Sequence, residues 1–144
     1  MDSLKKQQIV QMYRQIDELD LLLTQYFTDL NDFNLTYQQE QILLLFKRQK
    51  TWTTTEIAMR MNISKSAVSQ VLKVLQQETF IRKEKNPENL RESFIHLDVQ
   101  GVAYSNKIDE IEDRLTEELF SLFAEDDLNT VTKAFNLMIN YLKK

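Results

Sequence analysis

The sequence contains no cysteine, and histidine and glycine each occur once, as His96 and Gly101. Without cysteine the chain can form no disulfide, no thiol redox sensor and no zinc site built on thiolates. A single imidazole cannot provide a multi-histidine metal site, and a single glycine cannot provide the glycine-rich loop that holds a nucleotide phosphate. An all-carboxylate metal site stays open, although nothing supports it. We therefore expect a protein without a cofactor or a metal.

Long apolar runs are also missing. The longest, such as the run from Ile42 to Phe46, are far shorter than the roughly 20 residues of a membrane-spanning helix. Residues 1–8 are followed by neither an apolar signal-peptide core nor a small-residue cleavage site. These patterns predict a cytoplasmic protein.

The paired carboxylates Glu117 with Glu118 and Asp126 with Asp127 are the main candidates for acid–base chemistry. No nucleophile, metal-ligand set or glycine-rich oxyanion site accompanies them. A solvated helix face or a helix N-terminus, where carboxylates are favourable, explains them better than catalysis. The sequence therefore does not indicate an enzyme.

The net charge of −4 is spread unevenly along the chain. Ten basic and four acidic residues lie between Lys47 and Arg91, which gives this segment a charge of about +6 and leaves about −10 for the rest. Such a concentration of cations is what a phosphate-binding surface requires. Nine acidic residues between Asp109 and Asp127 would repel DNA and so orient the molecule on it.

The scarcity of glycine and proline predicts a mainly helical chain with short connections. Apolar residues at three- and four-residue spacing predict a first helix from about Leu4 to Leu30. Five further helices are predicted, each after a capping residue. The predicted caps are Thr36, Thr53, Ser64, Asp98 and either Asp126 or Asp127. The fourth helix is expected to reach Gln77 and the fifth to reach about Ala124.

Two strand-like runs, residues 80–83 and 93–97, flank the turn signal of residues 86–89 and predict a β-hairpin. His96 lies in the second run and Trp52 before the third helix, and both are interpreted as structural residues. The predicted fold is mainly α-helical with a small β-hairpin wing.

The third and fourth helices have the features of a helix-turn-helix. Ile57, Ala58 and Met61 offer a packing face on the third helix, and Ile63 can fill the turn. At ~100° per residue, polar residues after Ser64 share an arc of roughly 140° on the fourth helix. They are Lys65, Ser66, Ser69, Gln70 and Lys73. Hydroxyl and amide groups can read base edges, and lysines can hold phosphate or guanine.

The polar arc alone is equally compatible with the solvated face of an ordinary amphipathic helix. The hairpin favours DNA binding, because it carries Arg82, Lys83, Lys85 and Arg91 around its turn. Cations on such an arm can reach the DNA backbone or the minor groove. We therefore predict that these four residues bind DNA together with Ser64 and the polar arc.

The chain resembles the MarR family of bacterial transcription regulators over most of its length. The resemblance rests on Leu35-Thr36, residues 55–58, residues 63–69, and the wing from Asn89 through Leu97 to Gly101. It implies a winged helix-turn-helix lobe at residues 35–98 between an N-terminal dimerisation helix, residues 1–34, and C-terminal dimerisation helices, residues 99–144. It also implies a homodimer on pseudo-palindromic DNA.

The wing departs from the family pattern. Wings of the family commonly carry an aspartate two residues before an arginine, often with two adjacent arginines, whereas Asn89 and Leu90 precede the lone Arg91 here. Residue 89 therefore supplies no carboxylate to pair with Arg91. Asp98 stands where a threonine is frequent, but either residue can cap the fifth helix.

The resemblance to ligand-responsive members of the family implies that several aromatic residues line a cavity for a small apolar or aromatic effector, between the dimer helices and the DNA-binding lobes. The candidates are Tyr13, Tyr26, Phe46 and Tyr104, with Phe27 beside them. Core packing is the alternative explanation for the same residues.

The sequence predicts a double-stranded DNA-binding transcription regulator, a repressor that acts as a homodimer and is released by a small-molecule effector. The alternative is a winged-helix protein-interaction module that does not read a specific DNA sequence.

Overall fold

The computed structural model describes residues 1–144, which divide into two compact units, Met1–Ile108 and Asp109–Lys144. The six α-helices are α1 Ser3–Thr24, α2 Tyr37–Leu44, α3 Thr54–Met61, α4 Lys65–Gln77, α5 Val99–Glu118 and α6 Glu125–Leu142. The three strands are β1 Trp52–Thr53, β2 Ile81–Lys85 and β3 Ser93–Leu97. Segments of 3₁₀ helix cover Gln25–Phe33, Leu45–Lys47 and Phe120–Leu122. No helix has the length and apolar content needed to span a membrane.

The first helix begins as predicted but changes character before its end. The Asp2 carboxylate accepts a hydrogen bond from the Lys5 backbone N–H at 2.7 Å. The α-helix stops at Thr24, whose hydroxyl donates to the Asp20 carbonyl, and the chain tightens into a 3₁₀ helix. Asn34 ends that segment with a φ of 52°, a left-handed conformation that asparagine tolerates. The prediction of one α-helix to Leu30 was therefore wrong after Thr24.

The predicted caps of the second, third and fourth helices are confirmed. Thr36 and Thr53 each form a capping box, with Gln39 and Glu56 respectively. Ser64 Oγ accepts a hydrogen bond from the Ala67 N–H at 3.0 Å and so caps α4. Each cap satisfies backbone donors that have no partner inside the helix, which fixes where the helix starts.

The sheet has the strand order β1-β3-β2 and is antiparallel throughout. The predicted hairpin is confirmed, although its first strand runs from Ile81 to Lys85 rather than over residues 80–83. Strand β1 was not predicted, because two residues are too few to show strand periodicity. Ile95 on β3 lies opposite both Trp52 on β1 and Lys83 on β2.

The core of the first unit joins α2, α3, α4 and the sheet. Seven side chains in it have no exposed surface: Ile42, Ile57, Val68, Leu72, Leu75, Ile81 and Ile95. Each such burial stabilises the fold by roughly 1.5 to 3 kcal/mol. The Trp52 indole is buried too, and its N–H donates to the carbonyls of Leu45 and Gln49 at 3.0 and 3.1 Å. The structural role predicted for Trp52 is confirmed.

The start of α5 is fixed against the base of the hairpin. The Phe80 carbonyl accepts from the Asp98 N–H at 2.9 Å, and the Thr79 carbonyl accepts from the Gln100 N–H at 3.0 Å. A Cβ at Gly101 would lie 2.1 Å from the Phe80 oxygen, so only glycine fits there. The Asp98 carboxylate accepts from the N–H of Val99, the first residue of α5, at 2.8 Å, and not from the N2 or N3 amide that an N-cap side chain binds.

The second unit contains the end of α5 and all of α6. The prediction that the fifth helix reaches Ala124 was wrong, because α5 ends at Glu118 and a 3₁₀ turn follows. The sixth helix begins earlier than predicted, and the Asp127 carboxylate reaches back to accept from the Ala124 N–H at 3.2 Å. The acidic pair Asp126 and Asp127 thus lies in the first turn of α6, where negative charge is favourable.

Candidate nucleic-acid interface

Helix α4 presents its polar arc to solvent. All six residues predicted for this surface are exposed: Ser64, Lys65, Ser66, Ser69, Gln70 and Lys73. The opposite face is anchored by Val68, Leu72 and Leu75, which are completely buried. Because three anchors hold the helix over its length, the arc is presented in a fixed orientation. It carries hydroxyls, one amide and two ammonium groups but no carboxylate.

A polar cleft of about 420 Å³ lies between α4, the start of α3 and the hairpin, and we call it the reading cleft. It is lined by Thr54, Thr55, Lys65, Ser69, Lys83, Asn89, Arg91, Glu92 and Ser93. The structure therefore brings together Lys65, Lys83 and Arg91, cations from three separate segments that the sequence analysis had grouped. Glu92 is the single carboxylate among these residues.

The first turn of α3 adds donors that the sequence analysis missed. Thr54 and Thr55 are the first two residues of the helix and line the reading cleft. Amide groups in a first helical turn have no intrahelical acceptor, and the helix dipole makes this end positive. Such an end favours a phosphate group. The capping box of Thr53 and Glu56 was the signal that located this helix start.

The hairpin divides its cations between two faces, because successive side chains of a strand point in opposite directions. Lys83 and Lys85 share a face with the buried Ile81, whereas Arg82 and Glu84 lie on the other. Arg82 is opposite His96 in the strand register. Of the four wing cations predicted to act together, only Lys83 and Arg91 line the reading cleft.

His96 connects the two strands of the wing with the segment before β1. Its Nε2 lies 2.9 Å from Oε2 of Glu84, and its Nδ1 lies 3.3 Å from the Thr51 hydroxyl. Both contacts are on the face opposite Lys83. They agree with the structural role predicted for this histidine.

Two consecutive turns shape the wing tip. The backbone N–H of Asn89 donates to the Asn86 carbonyl, and that of Glu92 donates to the Asn89 carbonyl. The side-chain oxygens of Asn86 and Asn89 accept from the N–H groups of Glu88 and Arg91 at 3.0 and 3.2 Å. The Asn89 side chain therefore contacts Arg91 at its backbone N–H and forms no ion pair with its guanidinium.

A second basic cavity lies away from the reading cleft. It has a volume of about 510 Å³ and is lined by Gln41, Leu44, Leu45, Lys47, Arg48, Arg60 and Met61. The cations between Lys47 and Arg91 thus belong to more than one surface. The charge of about +6 on this segment is therefore larger than the charge of the residues that line the reading cleft.

The effector candidates differ in exposure. Phe46 and Tyr104 are buried, whereas Tyr13 is exposed on α1 and Tyr26 is half-buried. The Tyr104 ring meets Phe33 edge-on, with centroids 5.3 Å apart. Burial, and secondarily the negative charge of Glu40, raise the pKa of the Tyr104 hydroxyl to about 12. The core-packing explanation therefore applies to Phe46 and Tyr104.

Comparison with known proteins identifies related regulators. The profile of the MarR family matches residues 35–93. The chain is 32% identical over 114 residues to YvnA, an uncharacterized HTH-type transcriptional regulator of Bacillus subtilis (strain 168). That match covers 77% of this chain and 71% of the relative.

Solved structures share the fold at low sequence identity. MarR of Staphylococcus aureus, solved in complex with salicylate and kanamycin, is 20% identical with a TM-score of 0.72, over 97% of this chain and 93% of that one. FabT of Streptococcus pneumoniae, solved in complex with DNA, is 12% identical with a TM-score of 0.69, over 91% and 97%. The predicted mainly α-helical, winged helix-turn-helix fold is confirmed.

Proposed function

The chain is a DNA-binding transcription regulator of the MarR family, and on that premise we propose that it binds a pseudo-palindromic operator as a homodimer. Helix α4 of each protomer enters a major groove, and the dimer symmetry sets half-sites about 10 bp or a multiple of 10 bp apart. The observation that carries this proposal is the exposed, carboxylate-free arc of α4 beside the reading cleft.

The residues of the arc have different roles in this proposal. Ser66, Ser69 and Gln70 contact base edges, because hydroxyl and amide groups both donate and accept hydrogen bonds. Lys65 and Lys73 bind guanine or nearby phosphates, and Ser64 lies beside Lys65 at the N-terminal end of the helix.

The reading cleft holds the DNA backbone. Lys65, Lys83 and Arg91 supply charge for a phosphate group, and the first turn of α3 supplies amide donors. Arg82 and Lys85 do not line this cleft, and they add to the positive potential around the flanking DNA.

Two helices with exposed apolar residues support the homodimer. Neither α1 nor α6 contains a buried residue. On α6, Phe135 is 55% exposed and Leu137 is 75% exposed. Extended apolar surfaces of this kind are characteristic of protein interfaces. We propose that residues 1–34 and 99–144 form the dimer and that residues 35–98 form the DNA-binding lobe, and sedimentation velocity should give the mass of two chains.

A dimer that covers promoter DNA prevents RNA polymerase from binding there, so we propose that the protein is a repressor. We propose the cytoplasm, where the chromosome lies, as its location. No enzymatic activity forms part of the proposal. MarR of Staphylococcus aureus was solved with salicylate, and we propose a small apolar or aromatic effector here. Tyr13 and Tyr26 are the candidate contacts, because Phe46 and Tyr104 are buried in the core. In a thermal-shift screen of small aromatic acids, a compound that binds should raise the Tm, and the same compound should release the protein from DNA. If no compound raises the Tm of a protein preparation that binds DNA, the effector proposal is wrong.

Selection of bound sites from random duplexes tests the proposed function. A two-fold symmetric motif is expected, since both protomers present the same arc. Binding that is weak and independent of sequence would contradict the proposal and would favour a protein-interaction module.

A further inference from the structure

Leu90 has the most exposed large hydrophobic side chain in the chain, at 79%. Most of the other exposed apolar residues lie on helices, many of them on α1 and α6. Leu90 instead lies at the tip of the wing, between Asn89 and Arg91. A single exposed leucine is common in proteins and carries no meaning by itself. Its surroundings are what distinguish this one.

The tip holds Leu90 in a defined position. Leu90 and Arg91 are the two central residues of the turn that closes when the Glu92 N–H donates to the Asn89 carbonyl at 3.1 Å. The Asn89 side chain adds a second bond across the same turn, to the Arg91 N–H. The backbone around Leu90 is therefore ordered before binding, which lowers the entropic cost of a contact.

The chemistry around Leu90 selects DNA as its partner. Arg91, the next residue, lines the reading cleft with Lys65 and Lys83. Asn89 also lines the cleft, so the residues on both sides of Leu90 face it, and DNA held there would pass the wing tip. The leucine side chain has neither a charge nor a hydrogen-bond donor for a phosphate, so apolar contact with sugars and bases is what it can offer to DNA.

We propose, building on the proposed DNA-binding function, that Leu90 enters the minor groove beside each half-site and wedges against a base step. Leucine is among the apolar side chains that architectural proteins insert between base steps. Pyrimidine–purine steps such as TA unstack most readily. Leu90 thereby makes the protein sensitive to the deformability of DNA that α4 does not contact.

The test uses the selected operator with the flanking step varied and with 2-aminopurine, whose fluorescence rises on unstacking, at that step. The native protein should prefer a TA flank over a GG flank by about tenfold and should increase the fluorescence. Leu90→Ala should reduce this preference to about twofold, abolish the increase and leave the half-site motif unchanged. Val99→Ala is the matched control, because Val99 is 70% exposed as the first residue of α5 and does not line the reading cleft.

Three outcomes decide the matter. A loss of flank preference in Leu90→Ala but not in Val99→Ala supports the wedge. A native protein that protects its half-sites without flank preference or fluorescence change overturns the wedge and leaves the proposed function intact. Failure of the native protein to select any motif removes the proposed function, and the wedge with it. Because residue 90 is exposed, an unchanged Tm in Leu90→Ala should show that the fold is intact.

Discussion

The side-chain oxygen of Asn89 accepts a hydrogen bond from the backbone N–H of Arg91 at 3.2 Å. Family wings commonly have an aspartate at the position of Asn89. The neutral amide keeps the acceptor for the turn but offers no charge to the Arg91 guanidinium. Arg91 is thus directed to the reading cleft by the backbone of the turn.

Replacing Arg91 by alanine should weaken DNA binding and lower the salt dependence. Loss of one phosphate contact reduces the slope of log K against log salt by about one unit. Arg82→Ala is the matched control, since Arg82 belongs to the same hairpin but lies on the face opposite Lys83. Affinity titrations at several salt concentrations should show the larger change for Arg91. An unchanged slope in Arg91→Ala would remove this residue from the contact set.

DNA affinity should depend on the hydrogen bond that the side-chain oxygen of Asn89 accepts. Asn89→Ala removes the hydrogen bond to the Arg91 N–H, and a bond of this kind contributes about 0.5 to 1.5 kcal/mol. DNA affinity should fall by up to about tenfold. Asn89→Asp retains the acceptor and should bind within about twofold of the native protein. Equal affinities for the alanine variant and the native protein would show that the turn does not position Arg91.

Gly101→Ala should destabilise the fold. Alanine is intrinsically better than glycine in a helix by roughly 1 kcal/mol, so an uncrowded site would be stabilised. Here the new Cβ would lie 2.1 Å from the Phe80 oxygen, and relieving the clash should cost about 1 to 3 kcal/mol. Thermal denaturation should show a lower Tm for Gly101→Ala than for the native protein. Asn106→Ala, at an exposed site on α5, is the control and should show no decrease in Tm. A raised Tm in Gly101→Ala would contradict the packing described.

Stability should decline at alkaline pH because of Tyr104. Its pKa is raised from 10.0 to about 12 in the folded protein. Between these values the unfolded chain has lost the Tyr104 proton while the folded protein still holds it. The free energy of unfolding is therefore unaffected by the ionisation of Tyr104 below pH 10 and falls as the pH rises toward 12. The loss is on the order of 2 kcal/mol. Tyr104→Phe keeps the ring beside Phe33 and should flatten this part of the curve, whereas Tyr37→Phe, at an exposed site, should not. Identical pH profiles for the native protein and Tyr104→Phe would refute the assignment.

Local signals in the sequence predicted the helix starts well. The caps at Thr36, Thr53 and Ser64 act within three residues, so each can be recognised without knowledge of the tertiary fold. The polar arc of α4 follows from helical geometry in the same way. Helix ends were predicted less well, because the 3₁₀ segments after Thr24 and Glu118 continue the apolar pattern of the helices before them.

The division of the wing cations depends on information that is not local. A shift of one residue in strand register moves each side chain to the opposite face. The pairing of Lys83 with Ile95 is fixed by the packing of Ile81 and Ile95 in the core. Thr54 and Thr55 were missed for a related reason, since only the folded chain brings the start of α3 beside the wing.

The most direct test of base reading by α4 is a repeat of the site selection with Gln70→Ala. Gln70 is exposed at one edge of the arc, and its amide can make two hydrogen bonds to a base edge. The variant should keep the symmetric motif and lose its preference at one position in each half-site, at a cost there of about 1 to 3 kcal/mol. A motif identical to that of the native protein, position by position, would contradict the account.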